Sequence, residues 1–535
     1  MAKLMGTSQG AGVSPAILRA SAATPTKNTT SMSNTPPVSR NSTWWTLAAL
    51  ILGGLVLRLI FFNGVIGSDD TNYFRFAQAL FIEHHLQEFN QQAGRLVLLT
   101  LVALPGVIAD NIGVSEVVNV VLSSVLSAAV GLFCLRRVGP VAAIAATAFL
   151  ALDGIGIAYA GVLLPEPLLA LLMFGSTVAL YLAADPAHER RQRLLTFSCG
   201  LLAGLAYSAK EPGILLLVPS GAYLLLGGAF GSLSRRLQLV ILLGAGFAIP
   251  AGIEAGTLKV LTGDLLYKQH GLEQFHNARV GSGYTPIGIL RDYWWKLRNM
   301  LAEPLVYVLP LGVCIVGWWD VIRRRSRLLP FAAAGAFVLA YSLAGTTSFT
   351  RFLPVPLQER YLTPVLVYGA IAFGAALQGW LMSWSQLAIA RTLACLIALQ
   401  FVSAAVLAGE RSGKLYFTEG FRNAQIALAA LPDSQAPIYA DEHIVPTLDV
   451  LLSGSLRTRL RPIQRDGLPE LLPGYYVVLG RDHYPLSPTW SQNLPQISRL
   501  PCVTFASTPQ GWSLWRPKSA STGAQDWAAI HWNAP

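Results

Sequence analysis

Charge is what this chain has least of. Only 13% of its 535 residues are Asp, Glu, Lys or Arg, where a soluble globular protein carries about a quarter. Acids are the scarcer kind, and residues 1–43 contain none. Cysteine is scarce too: Cys134, Cys199, Cys314 and Cys395 lie in or beside apolar runs, and Cys502 stands alone in the polar tail. With no CxxC and no zinc-type spacing, a disulfide framework and a zinc module are both excluded. There is no repeat of solenoid period, no clear inverted repeat, and no nucleotide-binding glycine loop. A cleavable leader is not expected, because the first apolar run is too long and starts too late; it reads as an uncleaved signal anchor.

Apolar length is what the chain has in excess. Hydrophobic residues make up 53% of it, and runs long enough to cross a bilayer recur from residue 44 to about 408. The fold class is therefore a polytopic α-helical membrane protein. About eleven spans are expected, near 44–62, 117–135, 140–158, 166–184, 194–208, 213–230, 238–257, 303–320, 329–345, 363–383 and 388–408. The apolar stretch 96–109 is broken by Pro105-Gly106 and reads as interfacial or half-inserted.

The net charge of +11 does not form a nucleic-acid stripe. Basic residues cluster between spans: Arg136-Arg137, Arg190-Arg191 with Arg193, Arg235-Arg236, and Arg323, Arg324, Arg325 with Arg327. In this span order every cluster falls on one side, the pattern of cytoplasmic loops. Membrane lipids are expected partners and nucleic acid is not. Residues 1–43 read as a disordered cytoplasmic tail, and 44–409 as the membrane domain, with extracytoplasmic loops 63–115 and 259–302. From 410 to 535, strand-length runs such as "APIYADE", "GYYVVLG" and "WSLWRP" read as an extracytoplasmic α/β domain.

The informative charges sit on the other side from those clusters. "GSDDTNYFRFAQAL" leaves the first span with adjacent carboxylates, Asp69 and Asp70. Tyr73, Phe76, Ala77, Leu80 and Phe81 then recur at helical spacing, with Arg75 off that face, as in a helix lying on the membrane surface. One Asp suffices to cap that helix; the second is left for other work. Lys210, in the "AKEPG" turn, and Arg95, Arg351 and Arg360 share this side, where cations are usually sparse. Pairing of Lys210 with Glu211 and of Arg360 with Glu359 is the plainer alternative. Together the cations describe a site for an anionic group, naturally a phosphate, since Arg offers a fork and Lys a point charge. Glu166 in "LLPEPL" is a further acid at that level, and the 259–302 loop is placed to close over the site. His270, Glu273 and His276 in that loop match no strong metal motif.

As an ordered set, "GSDDTNYFRFAQAL", "LPEPL", "AYSAKEPG" and "ERYLTPV" resemble motifs of the GT-C glycosyltransferases, in the branch of the protein O-mannosyltransferases and lipid A aminoarabinose transferases. The likeness covers most of 44–410. The family usually has Asp-Glu where this chain has Asp69-Asp70. The resemblance implies an inverting hexosyl- or pentosyltransferase in a bacterial inner membrane. It would move a sugar from a polyprenyl-phosphate donor to a lipid, glycan or protein acceptor. Asp69 and Asp70 would be catalytic, with Asp69 as base; Lys210, Arg360 and Arg95 would bind the donor phosphate; Glu166, Tyr361 and Arg75 would contact sugar or acceptor. No cofactor is called for, and a divalent metal is left open. The rival from another class is a secondary transporter, whose ionisable groups lie near the bilayer midplane; an inactive envelope-assembly scaffold is the remaining alternative.

Overall fold

The structure is a computed structural model that describes residues 40–86, 90–280, 286–346, 355, 358–412, 415, 425 and 428. In the C-terminal region it describes 437–441, 445–452, 454–463, 474–478, 502–507, 512–517 and 527–532. Arg351 and the expected N-terminal tail lie outside the described residues, except that the first helix begins at Arg40.

Helices dominate. In chain order they are α1 (Arg40–Ile60), α2 (Asp69–Gln78), α3 (Leu96–Leu98), α4 (Leu104–Ile108), α5 (Ile112–Arg137), α6 (Pro140–Ala151), α7 (Gly154–Ala160) and α8 (Glu166–Ala183). There follow α9 (Gln192–Ala209), α10 (Leu217–Leu226), α11 (Leu233–Thr262), α12 (Tyr267–Val280), α13 (Pro286–Ala302), α14 (Val308–Arg323), α15 (Leu329–Ala344), α16 (Thr363–Leu381) and α17 (Gln386–Arg411). Sparse polar residues restart the apolar runs. Asn111 accepts from Gly113 N at 2.8 Å to open α5, and Asp153 accepts from Gly156 N at 2.8 Å to open α7.

Every expected span contains helix, and fewer than eleven of them have the length and composition of a full crossing. Among the described residues six helices qualify, or seven if α6 and α7, bent by 52°, make one broken span. Other apolar runs form shorter helices. Helices α14 and α15 have 16 residues each, ~24 Å of rise where the hydrocarbon core is ~30 Å. At the α6–α7 break, buried Arg58 of α1 donates to Ala151 O at 2.9 Å and Leu150 O at 3.3 Å. It thereby satisfies carbonyls that the end of α6 orphans. The chain is a multi-pass membrane protein.

The core of the bundle is aromatic. Phe133, Phe174, Tyr181 and Phe331 pack with ring centroids 5.0 to 6.4 Å apart. Helix α16 runs against α6, α8, α14 and α15, which brings the residues before it to the end of the bundle where α8 starts.

Helix α2 buries Tyr73, Phe74 and Ala77, because α4 and a π-helical turn at Leu99–Ala103 cover them. The 96–109 stretch is that cover, a helix broken by the π turn.

The C-terminal region forms a six-stranded mixed sheet of order β2-β1-β3-β6-β5-β4. Strands β1 (Ile438–Asp441), β2 (Leu460–Ile463), β3 (Gly474–Val478) and β6 (Trp527–Trp532) pair in parallel, while β4 (Cys502–Ser507) and β5 (Trp512–Pro517) add antiparallel. The helix Val445–Leu451 rests on α2, with Thr447 Oγ1 3.3 Å from Thr71 Oγ1.

Candidate active site

A cavity of about 320 Å³ opens where α2, α8 and the segment before α16 meet. Its lining holds three carboxylates, Asp69, Glu166 and Glu211, and three cations, Arg95, Lys210 and Arg360, with Tyr361 beside them. Every one of these groups is engaged, and none by the sequence neighbour that seemed the obvious partner.

Asp69 starts α2 and is 29% exposed to the cavity. Its Oδ2 accepts from Arg360 Nη2 at 2.6 Å, and its Oδ1 from Gln92 Nε2 at 2.8 Å. Burial alone would raise its carboxyl, but Arg360 and then Arg95 outweigh that and hold it below the ordinary aspartate range. Arg360 also donates from Nε to Gln358 at 2.8 Å and lies 4.0 Å from Glu166 Oε1. Glu359, the alternative partner, points elsewhere: it accepts from Tyr159 at 2.9 Å and from Arg411 at 3.0 Å.

Lys210 caps the end of α9 with extended backbone, which turns its ammonium into the cavity. It reaches Glu166 Oε1 at 2.5 Å and sits 3.9 Å from the Tyr361 ring centroid. Burial pulls the Lys210 amine below its usual range, and Glu166 offsets this only in part. Glu211 turns to Arg95 instead, in a fork of 3.1 and 2.8 Å, and Arg95 also donates to the Tyr73 hydroxyl. Burial works against the Arg95 charge, yet Glu211 and Tyr73 more than offset it, so Arg95 stays firmly protonated.

Asp70 and Arg75 do not line the cavity. Asp70 is fully buried, turned back to accept from Ile66 N and Ser68 N, both at 2.7 Å. That loop needs left-handed backbone at Gly64 (φ 71°) and Gly67 (φ 69°), which glycine adopts without a Cβ clash. Burial raises the Asp70 carboxyl, and the backbone donors pull it only part of the way down. Asp70 thus fixes the loop that aims Asp69. Arg75 is exposed on the far side of α2.

Sequence reasoning missed Gln92, Glu211 as the Arg95 partner, and Gln358. Gln92 was visible in the "NQQAGR" run, but nothing in its spacing ties it to Asp69. His270, in the loop expected to close over the site, lies with Nδ1 2.6 Å from Asp264 Oδ2.

No protein-family model matches the chain, and no curated protein is similar to it in sequence. Solved structures are similar in shape. ArnT from Cupriavidus metallidurans bound to undecaprenyl phosphate superposes with a TM-score of 0.54 at 17% identity, over 87% of this chain and 97% of that one. The fold is that of the GT-C glycosyltransferases. The apo form of the same ArnT gives a TM-score of 0.52 at the same identity and coverage. The oligosaccharyltransferase of Archaeoglobus fulgidus in its apo form is 14% identical with a TM-score of 0.48, over 79% of this chain and 64% of that one. The chain thus spans less than two thirds of that oligosaccharyltransferase. Within this GT-C fold the cavity sits at the ends of spans: Glu166 is the first residue of α8, and Arg360 immediately precedes α16.

Proposed function

We propose that this protein is an inverting glycosyltransferase that takes a sugar from a polyprenyl-phosphate donor at the extracytoplasmic surface of a bacterial inner membrane. The observation that carries the reading is the convergence of Asp69, Arg95, Lys210 and Arg360 on one cavity at the end of the bundle. That position speaks against a transporter, whose charges would lie near mid-bilayer. The undecaprenyl phosphate in the similar ArnT structure supports a polyprenyl-phosphate partner.

The site is electrically balanced before donor arrives, three cations against three carboxylates. Arg95 is committed to Glu211 and Tyr73, so it shapes the site more than it receives phosphate. Lys210 and Arg360 do the receiving. As donor phosphate enters, Arg360 turns from Asp69 toward it, and Asp69 regains ordinary basicity. An acceptor hydroxyl then attacks the anomeric carbon as the bond from that carbon to the phosphate oxygen breaks. Asp69 takes the hydroxyl proton; polyprenyl phosphate leaves with the electron pair, its charge held by Lys210 and Arg360. Glu166 and Tyr361 face the sugar, Glu166 also steadying Lys210. Asp70 is a positioning residue, and Arg75 lies outside this scheme.

The test is mass spectrometry of envelope lipids and glycans from a deletion strain complemented with wild type or Asp69→Asn. The deletion should lose one sugar decoration and accumulate its lipid-linked donor. Wild type should restore the decoration, and Asp69→Asn, although inserted normally, should not. Full restoration by Asp69→Asn would remove Asp69 as base.

A further inference from the structure

A second cavity lies at the opposite end of the bundle, about 330 Å³ in volume. Helix α8 touches both: Glu166 lines the first and Tyr181 the second, and their sequence spacing puts them ~22 Å apart along the helix axis. Arg137, Arg324 and Arg327 line the second cavity, against one carboxylate, Asp320. They come from three places: the last turn of α5, the end of α14, and the turn leading into α15.

We propose that this cavity binds the phosphodiester headgroup of an anionic membrane lipid. Basic residues at this end are expected as an orientation signal, but such residues normally splay into solvent. Here three guanidiniums surround one hollow. Arg324 Nε is held 2.9 Å from the Asp320 carboxylate, and Arg137 Nη1 lies 3.5 Å from Asp185, both arginines still partly exposed. Among the described residues Arg327 has no carboxylate partner. The α14 helix ends in a left-handed turn at Arg325 (φ 50°), where Ser326 N donates back to Val321 O at 3.0 Å. That turn brings Arg327 to the hollow rather than away from it. Buried Tyr181 and Leu328 close its inner wall. The lining carries a net positive charge, and guanidinium forks fit two phosphate oxygens at once.

The same chemistry would accept free phosphate, but the surroundings favour a lipid. Exposed Trp319, Ile322 and Leu329 flank the cavity residues in sequence, giving acyl chains an apolar surface beside the headgroup. Basic pockets between spans at a membrane face hold anionic headgroups in this way.

The experiment uses the detergent-purified full chain and native mass spectrometry with phosphatidylglycerol, phosphatidylcholine or inorganic phosphate added. Wild type should retain phosphatidylglycerol about tenfold better than phosphatidylcholine. The double substitution Arg137→Ala/Arg327→Ala should lose about tenfold or more of that retention, while Arg137→Lys/Arg327→Lys keeps most of it. Saturable binding of inorganic phosphate that displaces no lipid, with phosphatidylglycerol no better than phosphatidylcholine, would make a free anion the ligand and overturn the lipid assignment. Equal retention of both lipids by wild type, without phosphate binding, would overturn the site altogether. So would a folded Ala double variant that retains phosphatidylglycerol as wild type does. None of these residues touches the first cavity, so failure here leaves the transferase reading intact.

Discussion

The Asp69–Arg360 contact sets the chemistry of the site at the scale of single side chains. A carboxylate held below its normal range by a guanidinium is a weak base, so this one is restrained until something takes the arginine. On the proposed mechanism, donor phosphate does. The sign follows directly: activity needs ionised Asp69, is present above its pKa and is lost as pH falls through it. In the free enzyme that pKa is depressed; with donor bound and Arg360 withdrawn, it rises. The acid limb of kcat should therefore lie at higher pH than the acid limb of kcat/KM, which reports the free enzyme. Coincident limbs would show that Arg360 stays on Asp69 throughout. Lys210 and Glu166 permit a second separation. Lys210→Met leaves buried Glu166 with only Arg360, 4.0 Å from its Oε1, a loss of up to about 3–5 kcal/mol for such a pair, visible as a lower melting temperature. Glu166→Gln with Lys210→Met removes both charges and should recover most of that stability, yet transfer should remain lost because the phosphate has lost its ammonium. A double variant that regains turnover would reduce Lys210 to a structural role. The sequence made Asp69, Lys210 and Arg360 legible because charges are so few that each one stands out. It hid their partners, because Glu211 and Glu359 adjoin the cations in sequence while helix geometry sends them to Arg95 and Arg411.

Among the elements, α12 decides how the first loop is held. Buried Lys268 pairs with Glu254 of α11 at 3.0 Å, donates to Tyr207 O at 2.8 Å and lies 4.1 Å from the Tyr207 ring centroid. This pins α12 to α9 and α11, where it packs against the stretch of chain that carries Gln92 and Arg95. The approach is closest at Gly271, where an added Cβ would meet Gln91 N at 2.8 Å and Asn90 C at 2.9 Å. Gly271→Ala must push α12 and the 90–95 segment apart by some tenths of an ångström. Gln92 would then lose its grip on Asp69, and a displacement of that kind near reacting atoms is costly to rate. The expected result is a fall in transfer of about tenfold or more, with faster hydrogen exchange across 90–95 and little change in melting temperature. Unaltered exchange with unaltered rate would show that α12 does not brace the loop. None of this was readable beforehand: the 259–302 loop was expected to close over the site, but a buried lysine within it is an exception to composition rules. The apolar runs themselves were readable as helices throughout. What hydropathy could not resolve was where a helix breaks, as at α6–α7 with its 52° bend, since apolar residues look alike on both sides of a break.

For the whole molecule, the two cavities give the bundle a direction. The carboxylate-bearing one lies at the start of α8, and the arginine-lined one lies near its end. The basic clusters gather at the second end, and on the proposed topology the positive-inside rule puts that end in the cytoplasm and the transfer site outside. Helix α11, with 30 residues, joins the two sides in one span. Ser232 caps its beginning, within the "SLSRR" turn, and His270 lies exposed just beyond its end. Single cysteines placed at these positions in a chain freed of its own cysteines read the orientation directly. A membrane-impermeant maleimide should label His270→Cys in intact spheroplasts and reach Ser232→Cys only after lysis. Labelling in the reverse order would put the Asp69 cavity in the cytoplasm. There a polyprenyl-phosphate sugar would compete with soluble nucleotide sugars, and the reason for a lipid-borne donor would be gone.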